Sequence, residues 1–227
     1  IESTNDEAWE IIDSVDTSHG TIIITDNQLS GKGRNGNTWF MSPSKGLAMS
    51  IILKKPISIQ EGLLIPIAAG VAVAKALENR GGNPKLKWPN DILLNNKKCG
   101  GILSESRVKN NNITHMVIGF GLNINETAND FPYLLSESAT SLAIETNQSN
   151  QRELICAIIA TYFERLLNDL PSSLSIWEDY CNHLNEIISF NQNGQNQSGL
   201  FKGLKDDGRA RIQIDKKEIL FNSITLE

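Results

Sequence analysis

Two hydrophobic periods alternate along this chain, and the switches between them predict its elements. Trp9, Ile12 and Val15 mark one side of a short helix, introduced by a capping-box pattern at Thr4 and Glu7. Thr21 to Thr25 is β-branched and reads as a buried strand, and Leu47 to Leu53 reads as a second. The longest apolar stretch, Leu63 to Ala74, reads as a buried core helix that ends near Arg80 at Gly81-Gly82. Three short strands follow, at Leu86 to Trp88, Ile92 to Leu94 and Lys98 to Leu103, the last two joined by a hairpin turn at Asn95-Asn96. His115 to Gly121 is a further strand, and residues 126 to 150 are polar and irregular. From Arg152 to Leu170, apolar residues at helical spacing, among them Ile155, Ile159, Phe163 and Leu166, mark an amphipathic helix; a shorter one spans Leu174 to Leu184. After Glu186, glycine- and asparagine-rich turns separate short alternating strands such as Leu200-Phe201 and Ala210 to Ile214, the texture of a small β-barrel. The pattern predicts an α+β fold in two parts, residues 1–185 and a small β-domain over 186–227.

Composition narrows the class. With 227 residues, 40% hydrophobic and 21% charged, the chain can bury a sizeable core. Lys and Arg number 21 against 26 Asp and Glu, a formal charge of −5 without a basic run, which leaves no electrostatic footprint for nucleic acid. The apolar stretch is interrupted by Pro66 and Gly70 and is shorter than the ~20 residues that span a bilayer, so no membrane segment is expected. Cys99, Cys156 and Cys181 are sparse and odd in number, as suits reduced thiols and a cytoplasmic location. The chain opens on Ile1 with neither a basic leader region nor a starting Met.

Four segments carry candidate chemistry. Gly31-Lys32-Gly33-Arg34-Asn35-Gly36 matches the dinucleotide pattern G-x-G-x-x-G, but Pro43 soon follows where a helix should open, and no acidic residue closes a second strand. The kinase version fails too, for want of H-R-D and D-F-G. What remains is a flexible loop whose glycines permit close approach to a ligand and whose Lys32 and Arg34 can offset phosphate charge, or else a solvated surface loop. Lys87-Trp88-Pro89-Asn90-Asp91 is an unusual run between two strands. Lys98-Cys99-Gly100-Gly101 sets a lysine before paired glycines, and Gly119-Phe120-Gly121-Leu122-Asn123 ends a strand with an amide. Together they suggest a ligand platform on one sheet. His19, His115 and His183 lack metal-ligand spacing and read as structural, Cys99 as an inert strand cysteine, and Asp13 and Asp16 as a solvated helix end.

In this order, with Ser3-Thr4-Asn5 ahead of them and Trp39 after the loop, these segments resemble the biotin–protein ligases over almost the whole chain. The resemblance is to the monofunctional form without an N-terminal DNA-binding domain. It implies a mixed, mainly antiparallel sheet with helices on one face, like the class II synthetases, plus an SH3-like C-terminal barrel. It further implies a reaction: ATP activates biotin to biotinyl-5′-AMP, which biotinylates a lysine of a biotin carboxyl carrier protein. Ser3, Thr4, Asn5, Gln28, Gly31, Lys32, Gly33, Arg34, Trp39, Lys98 and Gly101 would hold biotin. Arg34, Trp39, Asn90, Asp91, Lys98 and Asn123 would hold the nucleotide, and Asp91 would touch Mg2+. Lys98 and Arg34 would be catalytic. The loop departs from the family's usual Gly-Arg-Gly-Arg: Lys32 stands for the first arginine and Asn37 for a later one. A lipoate or octanoate ligase and a non-catalytic biotin sensor stay open as alternatives, as does a homodimer.

Overall fold

The computed structural model describes residues 1–14, 16–192 and 195–226, so Val15 of the expected helical stripe lies outside the described residues. Helix α1 (Thr4–Ser14) comes first, followed by β1 (Ile22–Thr25), the hairpin β2 (Gly31–Lys32) and β3 (Thr38–Trp39), β4 (Leu47–Leu53) and β5 (Ile57–Ser58). Helix α2 (Ile59–Asn79) leads to β6 (Pro84–Lys87), β7 (Asp91–Leu94), β8 (Lys97–Lys109) and β9 (Asn112–Leu122). Then come α3 (Leu142–Thr146), α4 (Arg152–Leu167) and α5 (Ser172–Tyr180). The C-terminal strands are β10 (Ile187–Gln192), β11 (Gln195–Leu204), β12 (Ala210–Ile214), β13 (Lys217–Phe221) and β14 (Thr225–Leu226).

Local chemistry explains most boundaries. Ser58 and Glu61 cap α2 reciprocally, Ser58 Oγ accepting from the Glu61 N–H and the Glu61 carboxylate from the Ser58 N–H. Gly81, at φ 83°, ends it. The helix is apolar all round because it lies between the sheet and helices α4 and α5. It is long and apolar enough to cross a bilayer, yet 67% of its most apolar window is buried within the protein, as a core helix requires. Asn95 and Asn96 both take left-handed backbone, the geometry of the expected hairpin turn. Helix α4 stops at Leu167 rather than Leu170, since Pro171 disfavours helical backbone before it. The next helix stops at Tyr180, not Leu184, because Cys181 and Asn182 pair with Leu86 instead.

The main sheet has seven strands in the order β1-β4-β9-β8-β7-β6, with β5 also paired to β9. Every one of these pairings is antiparallel; among the described residues, parallel pairing is confined to the bridges Leu86–Cys181 and Lys98–Ala139. Leu47, Met49, Ile51, Ile118 and Phe120 point to the face covered by α2, α4 and α5. Helix α1 packs on the opposite face, its Ala8 against Ile52 and Val117, so the helices do not all share one face. Strand β1 was expected to be buried but forms the sheet's edge, leaving Ile22 and Ile24 exposed beyond the reach of the covering helices. The irregular stretch after residue 126 also contains α3 and buries Thr140, Ser141 and Leu142.

A second antiparallel sheet, ordered β13-β12-β11-β10-β14, makes the small C-terminal β unit. Its Phe190, Phe201, Ile212 and Phe221 join the main hydrophobic core, with Trp177 of α5 lying 6.4 Å from the Phe201 ring.

Candidate active site

Antiparallel register decides what the α1 side of the sheet presents, because residues paired across strands share a face. One cross-strand row runs Ala48, Gly121, Gly101 and Asp91; the next runs Ser50, Gly119 and Leu103. The row of small residues leaves a trough in the sheet. A Cβ at Gly121 would come within 2.7 Å of the Trp39 ring, and one at Gly119 within 2.4 Å of Asn5 Oδ1. At Gly101 a Cβ would make only ordinary contacts, with Lys98 Cε at 3.7 Å and the Asn90 carbonyl at 3.8 Å, so this glycine lies directly beneath the Lys98 side chain.

Helix α1 closes one end of the trough with a buried polar cluster. Gln28 Oε1 accepts from the Thr4 backbone N–H at 2.9 Å and lies 3.3 Å from Thr4 Oγ1. Ser50 Oγ lies 2.7 Å from Thr4 Oγ1 and 2.6 Å from Asn5 Oδ1. Asn5 Nδ2 donates to Glu105 at 2.8 Å, which turns its Oδ1 toward Ser50 and makes Ser50 the donor there. Trp9 Nε1 donates to the same Glu105 oxygen at 3.3 Å. This use of Thr4 replaces the expected capping box: Thr4 is already the first helical residue, and its hydroxyl faces Gln28 and Ser50.

The other end carries charge. Lys98 Nζ and Asp91 Oδ1 are 2.6 Å apart on neighbouring strands. Arg34 reaches in from the glycine loop and donates through Nη1 to Asn90 Oδ1 at 3.0 Å, while Asn90 Nδ2 donates to the Ile102 carbonyl. Burial pushes the Arg34 guanidinium below its ordinary pKa, with the Asp91 charge opposing the shift. A guanidinium that has lost part of its hydration gains more from a nearby anion than one in open water. The loop itself is a tight hairpin: Gly33 N–H donates to the Asn37 carbonyl at 2.7 Å, and Asn35 and Gly36 take left-handed backbone.

Ser3, Thr4, Asn5, Gln28, Lys32, Gly33, Arg34, Trp39, Asn90, Asp91, Lys98 and Gly101 all line this single cleft. Gly31 lies behind it, where a Cβ would meet the Trp39 carbonyl at 2.4 Å and Gln28 Nε2 at 2.5 Å; its role is to let the hairpin close against Gln28. The Lys32 side chain turns to Asp6 at 2.6 Å, so its backbone, not its ammonium, faces the cleft. Asn123 does not join the cleft wall: it is buried, and its Nδ2 donates to the Thr140 carbonyl at 2.9 Å, anchoring the loop beyond β9. Sequence reasoning missed Ser50 and Glu105, although alternation along β4 and β8 would have placed them with Ala48 and Gly101. It also missed Ile224 and Leu226, which line the cleft from the C-terminal unit without any local sequence signal.

Asp91 is the one carboxylate among the described cleft-lining residues, and no group of three His, Cys, Asp or Glu side chains comes together among the described residues. That donor set cannot hold a divalent ion by itself. It fits Mg2+ only where phosphate oxygens supply most of the coordination. Cys99 is fully buried and burial pushes its thiol pKa far up, which makes it inert.

A family model described as the biotin/lipoate A/B protein ligase family matches residues 1–123, which include α1, the glycine loop, Lys98 and the glycines of β8 and β9. The bifunctional ligase/repressor BirA of Bacillus subtilis is 32% identical over 95% of this chain and 68% of its own length. The biotin–[acetyl-CoA-carboxylase] ligase of Paracoccus denitrificans is 26% identical, over 91% of this chain and 89% of that protein. A structure of the Aquifex aeolicus biotin protein ligase in complex with biotin and ATP superposes with a TM-score of 0.83 at 25% identity, covering 100% of this chain and 95% of that one. The chain belongs to the biotin/lipoate A/B protein ligase family.

Proposed function

We propose that this cleft activates biotin with ATP to biotinyl-5′-AMP and transfers the biotinyl group to a lysine of a carboxylase carrier domain. The observation that carries the reading is one juxtaposition: a buried polar cluster at α1, joined by a glycine-floored trough to Lys98, Asp91 and Arg34. The cluster also favours biotin over lipoate. A ureido ring needs donors and acceptors inside a buried pocket, which Thr4, Asn5 and Gln28 supply at the cleft wall, whereas a dithiolane would use none of them.

A carboxylate with a pKa near ~4 is ionised at neutral pH, so its attack on the α-phosphorus needs no general base. One carboxylate oxygen forms the new P–O bond while the bond to the β-phosphate oxygen breaks and pyrophosphate leaves. The obstacle is an anion approaching a polyanion, and the fixed charges of Lys98 and Arg34 lower it. Lys98 stands over Gly101, whose missing side chain leaves the lysine free to reach both the acid and the phosphate. Mg2+, arriving with the nucleotide, would supply further positive charge beside Asp91. In transfer, the acceptor amine attacks the anhydride carbonyl, the acyl C–O bond to AMP breaks, and the amine's proton passes to solvent or to Asp91. The glycine hairpin and Trp39 shield the anhydride from water. Cys99, Cys156 and Cys181 are all free thiols, in keeping with a cytoplasmic site of action.

Exchange of labelled pyrophosphate into ATP tests the reading. It should require biotin and fail with lipoate or octanoate; exchange driven by lipoate would move the chain to the sister activity, and silence with all three acids would leave only a binding role.

A further inference from the structure

The last strand of the C-terminal unit reaches into the cleft. Arg34 Nη2 donates to Ser223 Oγ, Lys87 Nζ donates to the Leu226 carbonyl at 3.1 Å, and Ile224 and Leu226 stand in the cleft wall. Arg34 is thus held from two sides, by Asn90 at 3.0 Å through Nη1 and by Ser223 through Nη2. Those contacts use two of the five guanidinium N–H groups, so three remain to meet a phosphate or carboxylate. The glycine loop has little else to hold Arg34 inward: it is a two-residue ladder, and its other cation, Lys32, points away to Asp6. We infer that Ser223 is a positioning residue, by which the C-terminal β unit holds Arg34 over the cleft and keeps the activated acyl group from escaping.

The inference rests on the ligase reading and makes a separate demand. A hydroxyl that acts only through Arg34 should matter only when Arg34 is present, which a double-mutant cycle measures. The readout is the rate at which pre-formed biotinyl-5′-AMP leaves the full-length protein, with the Michaelis constant for ATP measured in parallel. Ser223→Ala should speed release about three- to tenfold, the low end for losing a bond to a charged group at an exposed position. Arg34→Gly should release faster still, and adding Ser223→Ala to it should change nothing further. Ser223→Thr, which keeps the hydroxyl, should restore wild-type release. Additive effects of the two substitutions, or wild-type release by Ser223→Ala, would overturn the inference. Absence of biotin-dependent pyrophosphate exchange in the wild-type protein would instead overturn the ligase reading beneath it.

Discussion

Lys98 bears the most direct test at the scale of one residue. Its ammonium sits 2.6 Å from Asp91 over a glycine whose missing side chain leaves the lysine free to reach a ligand. Lys98→Ala should slow adenylate formation by more than ~2 kcal/mol, roughly thirtyfold, the usual loss for a donor that meets developing charge. Single-turnover formation of adenylate measures it, and a near-wild-type rate would remove Lys98 from the mechanism. Lys98, Arg34 and the paired glycines were picked out in the sequence by the order of their segments and the family it resembles, since each segment alone also fits a surface loop or a plain strand; the structure brings them to one cleft. Asn123 was misread for the same reason in reverse: a terminal amide looks alike whether it faces a ligand or, as here, the Thr140 carbonyl.

At the scale of elements, the glycines of the trough separate into two kinds that a substitution series will tell apart. A Cβ at Gly119 would lie 2.4 Å from Asn5 Oδ1, so Gly119→Ala must displace the Asn5 side chain and disturb the Asn5–Ser50–Glu105 cluster. The expected loss is about 1–3 kcal/mol of folding stability, seen as a lower urea midpoint. Gly101→Val makes no contact under 3.0 Å at its Cβ but crowds the Lys98 side chain, whose Cε and Nζ lie 3.7 and 3.9 Å from that position, so the fold should keep its urea midpoint while adenylate formation slows about tenfold or more. If Gly101→Val unfolds the protein, or Gly119→Ala leaves it as stable as wild type, the register argument for the trough fails. Strand and helix positions followed from hydrophobic period, but the edge position of β1 did not, because β-branched sequence is common to edge and centre.

For the whole molecule, two buried groups set opposing pH dependences. Both Glu126 oxygens are buried, and burial raises its pKa from 4.5 to about 7, the backbone N–H groups of Glu126, Ile124 and Ser42 opposing the shift and the nearby Asp130 charge adding to it. The folded state therefore holds this proton more tightly than the unfolded chain, and stability falls as pH rises from 4.5 to 7. His183, packed against Phe201 with ring centroids 4.2 Å apart and without a hydrogen-bond partner for either ring nitrogen among the described residues, has its pKa lowered from 6.5 to about 4 by burial, helped by Lys87. Its folded state refuses a proton the unfolded chain accepts, so stability rises with pH from about 4 to 6.5. Between them the wild-type curve should be nearly flat across the overlap. Glu126→Gln should expose a curve that climbs from pH 4 to 6.5 and then levels, gaining on the order of 2–3 kcal/mol over wild type at pH 8. Urea midpoints between pH 4 and pH 8 measure this; a variant that tracks wild type throughout would show that Glu126 is solvated or paired.

The sequence by itself determined the α+β composition, the positions of most helices and strands, and the cationic and glycine residues that would suit phosphate and carboxylate. These follow from local rules of period, capping, turn preference and charge, which each short segment states alone. Only the tertiary structure decided which face of the sheet α1 would cover, that Ser50 and Glu105 would complete its polar cluster, and that Asn123 would turn inward. It alone brought the C-terminal segment, through Ser223 before the final strand and Leu226 on it, against Arg34 and Lys87. Strand pairing and the docking of the C-terminal sheet arise from burial summed over the whole core. Contacts between residues more than a hundred positions apart therefore leave no mark in any local window.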